Sequence, residues 1–377
     1  MFVFCLALIM SVGGQASVPI QPPPQDPATN PKHTHEQISQ IQAKAESGDA
    51  SAQEALGKAY EEGNGVSRDD KSAVKWYRKA ADQANAVAED DLGVMYRLGQ
   101  GVEKNTEEAV RWYRKAAKHG NAEAMFNLGA SYYNGDGVNS DFVLADAWFM
   151  LAQDAGSEPA KQAVTRTAAE LRVKSDYRAM ALIAGMFEKG DELPRNYPAA
   201  VRWYRRAAEG DSEAKVNLAA MLAEGKGTTQ DYGQALDLCK SAAKDGYVGG
   251  PFCVGYFYQR GLGVPANFKE AAKWYREAVA RGHSQAMLRL AEMYAKGDGV
   301  PVDRAEAYIL YFDAYTQGSG EARVQALALF QNLNKVEMKR LEKKLHNRRL
   351  DALKVFAAVQ SDTAVDHSRT TLIRPAK

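Results

Sequence analysis

The chain has 377 residues, 45% hydrophobic and 25% charged, the make-up of a globular protein rather than of a disordered or membrane-embedded one. Its 48 basic and 47 acidic residues leave a formal charge of +1. That balance excludes a chain-wide electrostatic footprint for nucleic acid or for an anionic membrane.

The N-terminus reads as a separate piece. Phe2 to Val12 is apolar except for Ser11, and Gly14-Gln15-Ala16 follows. This is the apolar region and cleavage site of a secretory signal over residues 1–16, cut after Ala16. It is too short to span a bilayer unaided, so no integral membrane segment is expected after cleavage. No Lys or Arg precedes the apolar run, which leaves a buried N-terminal helix as the other reading. Residues 17–37 hold Pro19, Pro22, Pro23, Pro24, Pro27 and Pro31 and read as an extended linker with nothing to bury. Cys5 lies in the signal. Cys239 and Cys253, 14 residues apart, either pair in an oxidising compartment or serve as two small helix residues.

From Asp49 onward a block of about 36 residues recurs, starting at Asp49, Asn85, Asn121, Asp176, Asp211, Tyr247 and His283. The eighth position is apolar throughout, from Leu56 and Leu92 to Leu290. The ninth is Gly or Ala, and the twelfth is mostly Tyr. This spacing predicts a first helix of about 13 residues with one apolar face. Paired glycines such as Gly99 and Gly101 then stop it and supply left-handed turn positions. A G-x-G of this kind cradles phosphate only after a strand; here a helix precedes it, so no nucleotide site is read. Position 21 is Asp or Asn in all seven units, from Asp69 to Asp303. One acid or amide per unit, each ahead of a helical stretch, reads as an N-cap and not as a calcium ligand. All five tryptophans (Trp76, Trp112, Trp148, Trp203 and Trp274) share one place in the second helix, where two units have Leu238 and Leu310. Replacement by Leu argues for a core position over a stacking platform.

The pattern A-x-x-x-L-G-x-x-Y-x-x-G-x-G-V runs unbroken from Ala88 to Val102. It is followed from Asn105 to Ala117 by a capping residue, then A-x-x-W-Y-x-x-A-A. These residues resemble the Sel1-like repeat family. The resemblance implies an all-α fold, a right-handed α/α superhelical solenoid of seven helix-turn-helix repeats. It also implies a role as an adaptor or scaffold for proteins. On that basis the organisation is repeats 1–3 over 38–156, an extra helix over 157–175, repeats 4–7 over 176–318, a helical cap over 319–356 and a flexible tail over 357–377. The second helices before both breaks drift from the pattern (WFMLAQ and LYFDAY), which suggests two sub-arrays of three and four units. A coiled coil or membrane-surface helix is the rival reading of the charged stretch 339–349. One exported bacterial subgroup, rich in paired cysteines, includes members described as penicillin-binding or weak β-lactamases; this chain lacks those pairs.

No catalytic constellation emerges. Ser72-x-x-Lys75 and Ser241-x-x-Lys244 spell the serine-acylase motif, but no K-T-G accompanies them. His33 and His35 lack a third ligand. His119 and His283 lie at unit junctions with no partner suggested by spacing. The expectation is therefore no enzyme, no cofactor and no metal. By analogy with tetratricopeptide arrays, the first helices line the concave side, and their sixth, tenth and thirteenth positions supply a protein-binding set: Phe126, Tyr133, Phe252, Tyr256 and Gln259, beside polar Lys58, Asp90, Arg97 and Glu188. Phe126 and Phe252 read equally well as filling between repeats. The expected function is an exported, periplasmic or secreted bacterial scaffold for a protein or peptide. The alternative is an envelope protein that binds or hydrolyses peptidoglycan or β-lactams.

Overall fold

The computed structural model describes residues 33–171 and 174–347. The signal and most of the linker, Cys5, the tail and the end of the cap lie outside them. Among the described residues there are eighteen helices and no strand. They fall into two compact units that divide between Glu209 and Gly210. Unit 1 holds α1 (His35–Glu46), α2 (Ala50–Glu62), α3 (Asp70–Ala81), α4 (Ala86–Leu98), α5 (Thr106–Lys118), α6 (Ala122–Asn134), α7 (Phe142–Asp154), α8 (Glu158–Leu171), α9 (Lys174–Lys189) and α10 (Tyr197–Ala207). Unit 2 holds α11 (Ser212–Glu224), α12 (Tyr232–Lys244), α13 (Gly249–Arg260), α14 (Phe268–Ala280), α15 (Ser284–Lys296), α16 (Arg304–Thr316), α17 (Gly320–Gln331) and α18 (Lys335–Asn347). The fold is an all-α solenoid of helix pairs.

Each repeat closes by the same local chemistry. The position-21 side chain accepts from backbone N–H groups in the first turn of the second helix in all seven repeats. Each such cap contributes about 1 kcal/mol. The same residue's own N–H donates back to the carbonyl of position 12, as Asn105 does to Tyr96 at 2.9 Å and Asn267 to Tyr258 at 2.8 Å. The second turn glycine does more than adopt positive φ. A Cβ on Gly101 would lie 2.2 Å from the carbonyl oxygen of Asp70, and one on Gly299 would lie 2.3 Å from the carbonyl carbon of Phe268. Each turn thus sits directly on the backbone that opens the preceding repeat's second helix.

The position-8 residues Leu56, Leu92, Leu128, Ile183, Leu218, Val254 and Leu290 are all buried. The tryptophans correct the sequence reading. Trp148 and Trp203 are 1% and 3% exposed, but Trp76, Trp112 and Trp274 are only half-buried. Lys79 lies 3.9 Å over the Trp76 ring and Lys115 3.9 Å over Trp112. The neighbouring aromatic fills the core instead. The Tyr77, Tyr113, Phe149 and Tyr275 rings lie over Gly57, Gly93, Gly129 and Gly255, where a Cβ would meet ring carbons at 2.5–2.7 Å. The ninth-position glycine is therefore the seat of this ring.

The two drifting helices have a common cause. Both α8 and α9 pack on α7, and both α17 and α18 pack on α16, so each is covered on faces that other second helices expose. Trp148 and Met150, and likewise Ile309 and Leu310, are buried in consequence. α9 meets α7 as well as α10, so the stacking of repeat 4 on repeat 3 continues past the inserted α8. The compact units accordingly hold four repeats and three, where the sequence suggested three and four. The region read as a single cap is a helix pair. Its Leu341 and Leu345 are buried, and Lys344 bonds Asp303 at 3.1 Å and Glu306 at 2.5 Å, at the start of α16.

Candidate binding surface

The first helices α2, α4, α6, α9, α11, α13 and α15 carry the residues singled out for binding. Phe126 is 4% exposed and packs on Phe149, ring centroids 5.5 Å apart. Tyr133 is 4% exposed and meets Phe142 edge-on at 5.4 Å, with the Arg166 guanidinium from α8 above its ring. Both are taken up by packing, because α7 and α8 close over them, and neither offers a free anchor. Phe252 is half-buried and stacks on His283, 4.5 Å between centroids. Gln259 accepts from the Tyr275 hydroxyl at 2.7 Å. Tyr256 remains 36% exposed, with the Arg260 guanidinium over its ring.

Gln259 exposes a rule that spacing did not suggest. In the first and fourth repeats, as in the sixth, position 13 accepts from the buried tyrosine's hydroxyl: Tyr77 donates to Glu61 at 2.6 Å and Tyr204 to Glu188 at 2.7 Å. Burial pushes the Tyr77 and Tyr275 hydroxyls well above the ordinary phenol range. Position 12 bonds the preceding repeat: Arg78 donates to Tyr96 at 2.5 Å, Arg114 to Tyr132 at 2.5 Å and Arg276 to Tyr294 at 3.0 Å. The signal for both rules lay in the coupled recurrence of Trp-Tyr-Arg with Tyr.

The histidines also have partners. His119 Nδ1 lies 2.6 Å from Oε2 of buried Glu89, and His283 accepts from Ala286 N as the N-cap of α15. Ser72 is engaged by the cap, its Oγ donating to Asp69 at 2.6 Å. Ser241 Oγ accepts from Lys215 Nζ at 3.0 Å, and Asp245 binds the same ammonium. The Lys215 ammonium is thus a donor to Ser241 and not its base, while the motif lysines Lys75 and Lys244 are both exposed.

Burial also strains several carboxyls in unit 1. Asp90 is buried and accepts from Asn127 Nδ2 at 3.0 Å; desolvation raises its pKa to about 7. Asp146, buried beside Thr167 Oγ1 at 2.5 Å, is raised by desolvation to about 6. Asp91 is raised well above the carboxylate range by burial and by Asp90, Glu61 and Glu54.

The recurring caps, glycine seats and cross-repeat tyrosines define one hairpin used seven times, and known sequences carry the same pattern. The Sel1 repeat pattern matches residues 50–85, 86–121, 122–157, 178–212, 212–247, 254–283 and 284–319, more than half of the chain. The chain belongs to the Sel1 repeat family. Sel1 repeat proteins generally mediate protein–protein interaction and are generally non-catalytic. A chitin synthase regulator of Saccharomyces cerevisiae, SKT5, is 34% identical over 101 residues, 26% of this chain and 14% of that protein. Two solved structures also match. A protective antigen of uropathogenic Escherichia coli with an SLR fold is 32% identical, covering 81% of this chain and 69% of its own, with a TM-score of 0.42. A Sel1 repeat protein from Oxalobacter formigenes is 29% identical, covering 78% and 80%, with a TM-score of 0.39. Among the described residues no helix is long and apolar enough to cross a membrane.

Proposed function

We propose that this Sel1 repeat chain is an exported, non-enzymatic scaffold that holds a protein or peptide along the face of its first helices. The observation that carries the reading is the division of labour within each hairpin. The recurring residues are consumed by caps, turns and inter-repeat packing, while side chains such as Lys58 and Tyr256 vary from repeat to repeat and stay open to solvent. Solvent-facing aromatic and charged groups on a rigid frame are what partner recognition needs. Export rests on the apolar run and small-residue site before Ala16.

Tyr256→Ala tests the binding role, because it removes an exposed ring without touching the core. Capture of the physiological partner from the native host should fall while the helical circular dichroism signal stays constant; undiminished capture removes Tyr256 from the interface. Cell fractionation tests export, and retention in the cytoplasm contradicts it. Nitrocefin turnover lost on Ser241→Ala would favour the hydrolase alternative.

A further inference from the structure

The arginine–tyrosine bond between repeats forms at three junctions, but its surroundings differ. Arg114 lies 3.8 Å from Glu192, which answers its charge, and Ser140 stands at position 20 of the repeat it joins. Beside Arg276 that position is Val302. Beside Arg78 it is Lys104. Among the described residues neither Arg78 nor Lys104 forms an ion pair. Serine and valine close the same turn elsewhere, so stacking does not call for a cation there.

Arg78 and Lys104 line one open cleft of about 410 Å³, together with Tyr96, Val102, Glu103 and Asn105. It is built by α3, the last turn of α4 and the turn into α5. Its polar lining is rich in unspent donors. Arg78 gives one N–H to the Tyr96 hydroxyl and keeps the rest of its fork. Tyr96 accepts that bond, which leaves its own proton to donate. Asn105 spends its Oδ1 on Glu108 N at 2.9 Å as the cap of α5, which leaves its amide N–H groups. Both cations are exposed, so an incoming ligand reaches them directly. Glu103 is the one carboxylate of the lining. Two cations and neutral donors against a single acid suit a ligand with several acceptor oxygens and more than one negative charge. A carboxylate brings two oxygens and one charge. A phosphate monoester brings three oxygens and roughly −1.5 to −2 charge at neutral pH.

We infer that the cleft between α3 and the α4–α5 turn binds a phosphate monoester, held by Arg78 and Lys104 with Tyr96 and Asn105 as neutral donors. This goes beyond the scaffold reading and does not rest on it. The test is calorimetric titration of the full chain with glycerol phosphate, which should bind saturably at one site. Lys104→Gln and Arg78→Gln should each weaken binding about tenfold, as expected for lost charge-assisted hydrogen bonds. Glu103→Gln should tighten it severalfold, and Lys118→Gln, an exposed cation outside the cleft, should leave it unchanged. Lys104 and Glu103 are exposed turn residues, so their variants remain decisive if Arg78→Gln loosens the repeat junction. Displacement by phosphatidate vesicles, with phosphatidylcholine vesicles inert, would place the phosphate on a lipid headgroup. Displacement by inorganic phosphate, with both vesicles inert, would place it on a small soluble molecule. Absent binding, equal affinity in the Arg78, Lys104 and Lys118 variants, or equal displacement by acetate at the same concentration overturns the proposal.

Discussion

Units 1 and 2 are made from the same hairpin, yet they differ in how their first helices are dressed and held. Unit 1 concentrates acids on α2, α4 and α6 and buries Asp90 and Asp146. Unit 2 has a mixed first-helix surface with exposed Tyr256, and a disulfide joins Cys239 of α12 to Cys253 of α13, Cα atoms 5.6 Å apart. The shared parts are those that close a repeat and stack it on the next. The parts that differ are free of that duty, which is where specificity can be placed without cost to the fold.

The largest expected effect tests what the units share. Gly101→Ala and Gly299→Ala each put a Cβ within 2.3 Å of backbone in the preceding repeat. Each should cost about 3 kcal/mol or more in chemical denaturation. Gly120→Ala has the same sign of φ (+87°) but open space around its Cβ, and should cost only about 1 kcal/mol. Equal losses at Gly101 and Gly120 would show that the turn needs conformation alone and not close approach.

Next comes the cross-link, which only unit 2 has. A bond closing a loop of this length contributes about 3 kcal/mol in the chain-entropy account. Reduction, or paired Cys239→Ala and Cys253→Ala, should speed hydrogen exchange in α12 and α13 and leave α2 to α7 unchanged.

The buried acids give unit 1 a pH dependence of its own: among the described residues, the carboxyls raised by burial all lie there. Their folded pKa values lie above the ordinary carboxyl value, so the native state holds protons that the unfolded chain releases. The resulting stability is fully present below about pH 4 and is lost as pH rises through about 6 for Asp146 and about 7 for Asp90. Asp90→Asn should therefore flatten the profile of unit 1 and stabilise it by about 2 kcal/mol in alkaline buffer. A stability that rises over the same range would contradict the burial argument.

The smallest effect is optical. Trp274 is the single tryptophan of unit 2 and is half-buried, whereas unit 1 holds fully buried Trp148 and Trp203. Trp274→Phe should reduce iodide quenching, and Trp148→Phe should remove quencher-resistant emission.

Much of the fold was legible before any coordinates, because caps, turn glycines and the Leu at position 8 each obey a local rule. The inward Trp was misread because an indole and a phenol stand side by side in the motif, and apolarity favours the indole. The glycine at position 9 was the better guide, since it marks where a ring must lie. The binding set was less legible. Phe126 and Tyr133 lie on the outward positions of their helix, but α7 and α8 close over them, which one repeat's periodicity cannot show.

Site-specific photo-crosslinking in the native host tests the central claim most directly. A photoreactive residue at Lys58 or Tyr256, on the first helices, should capture discrete polypeptide partners, while one at exposed Lys75 on α3 should not. Equal capture from all three positions, or capture from Lys75 alone, would contradict a scaffold that binds along its first helices.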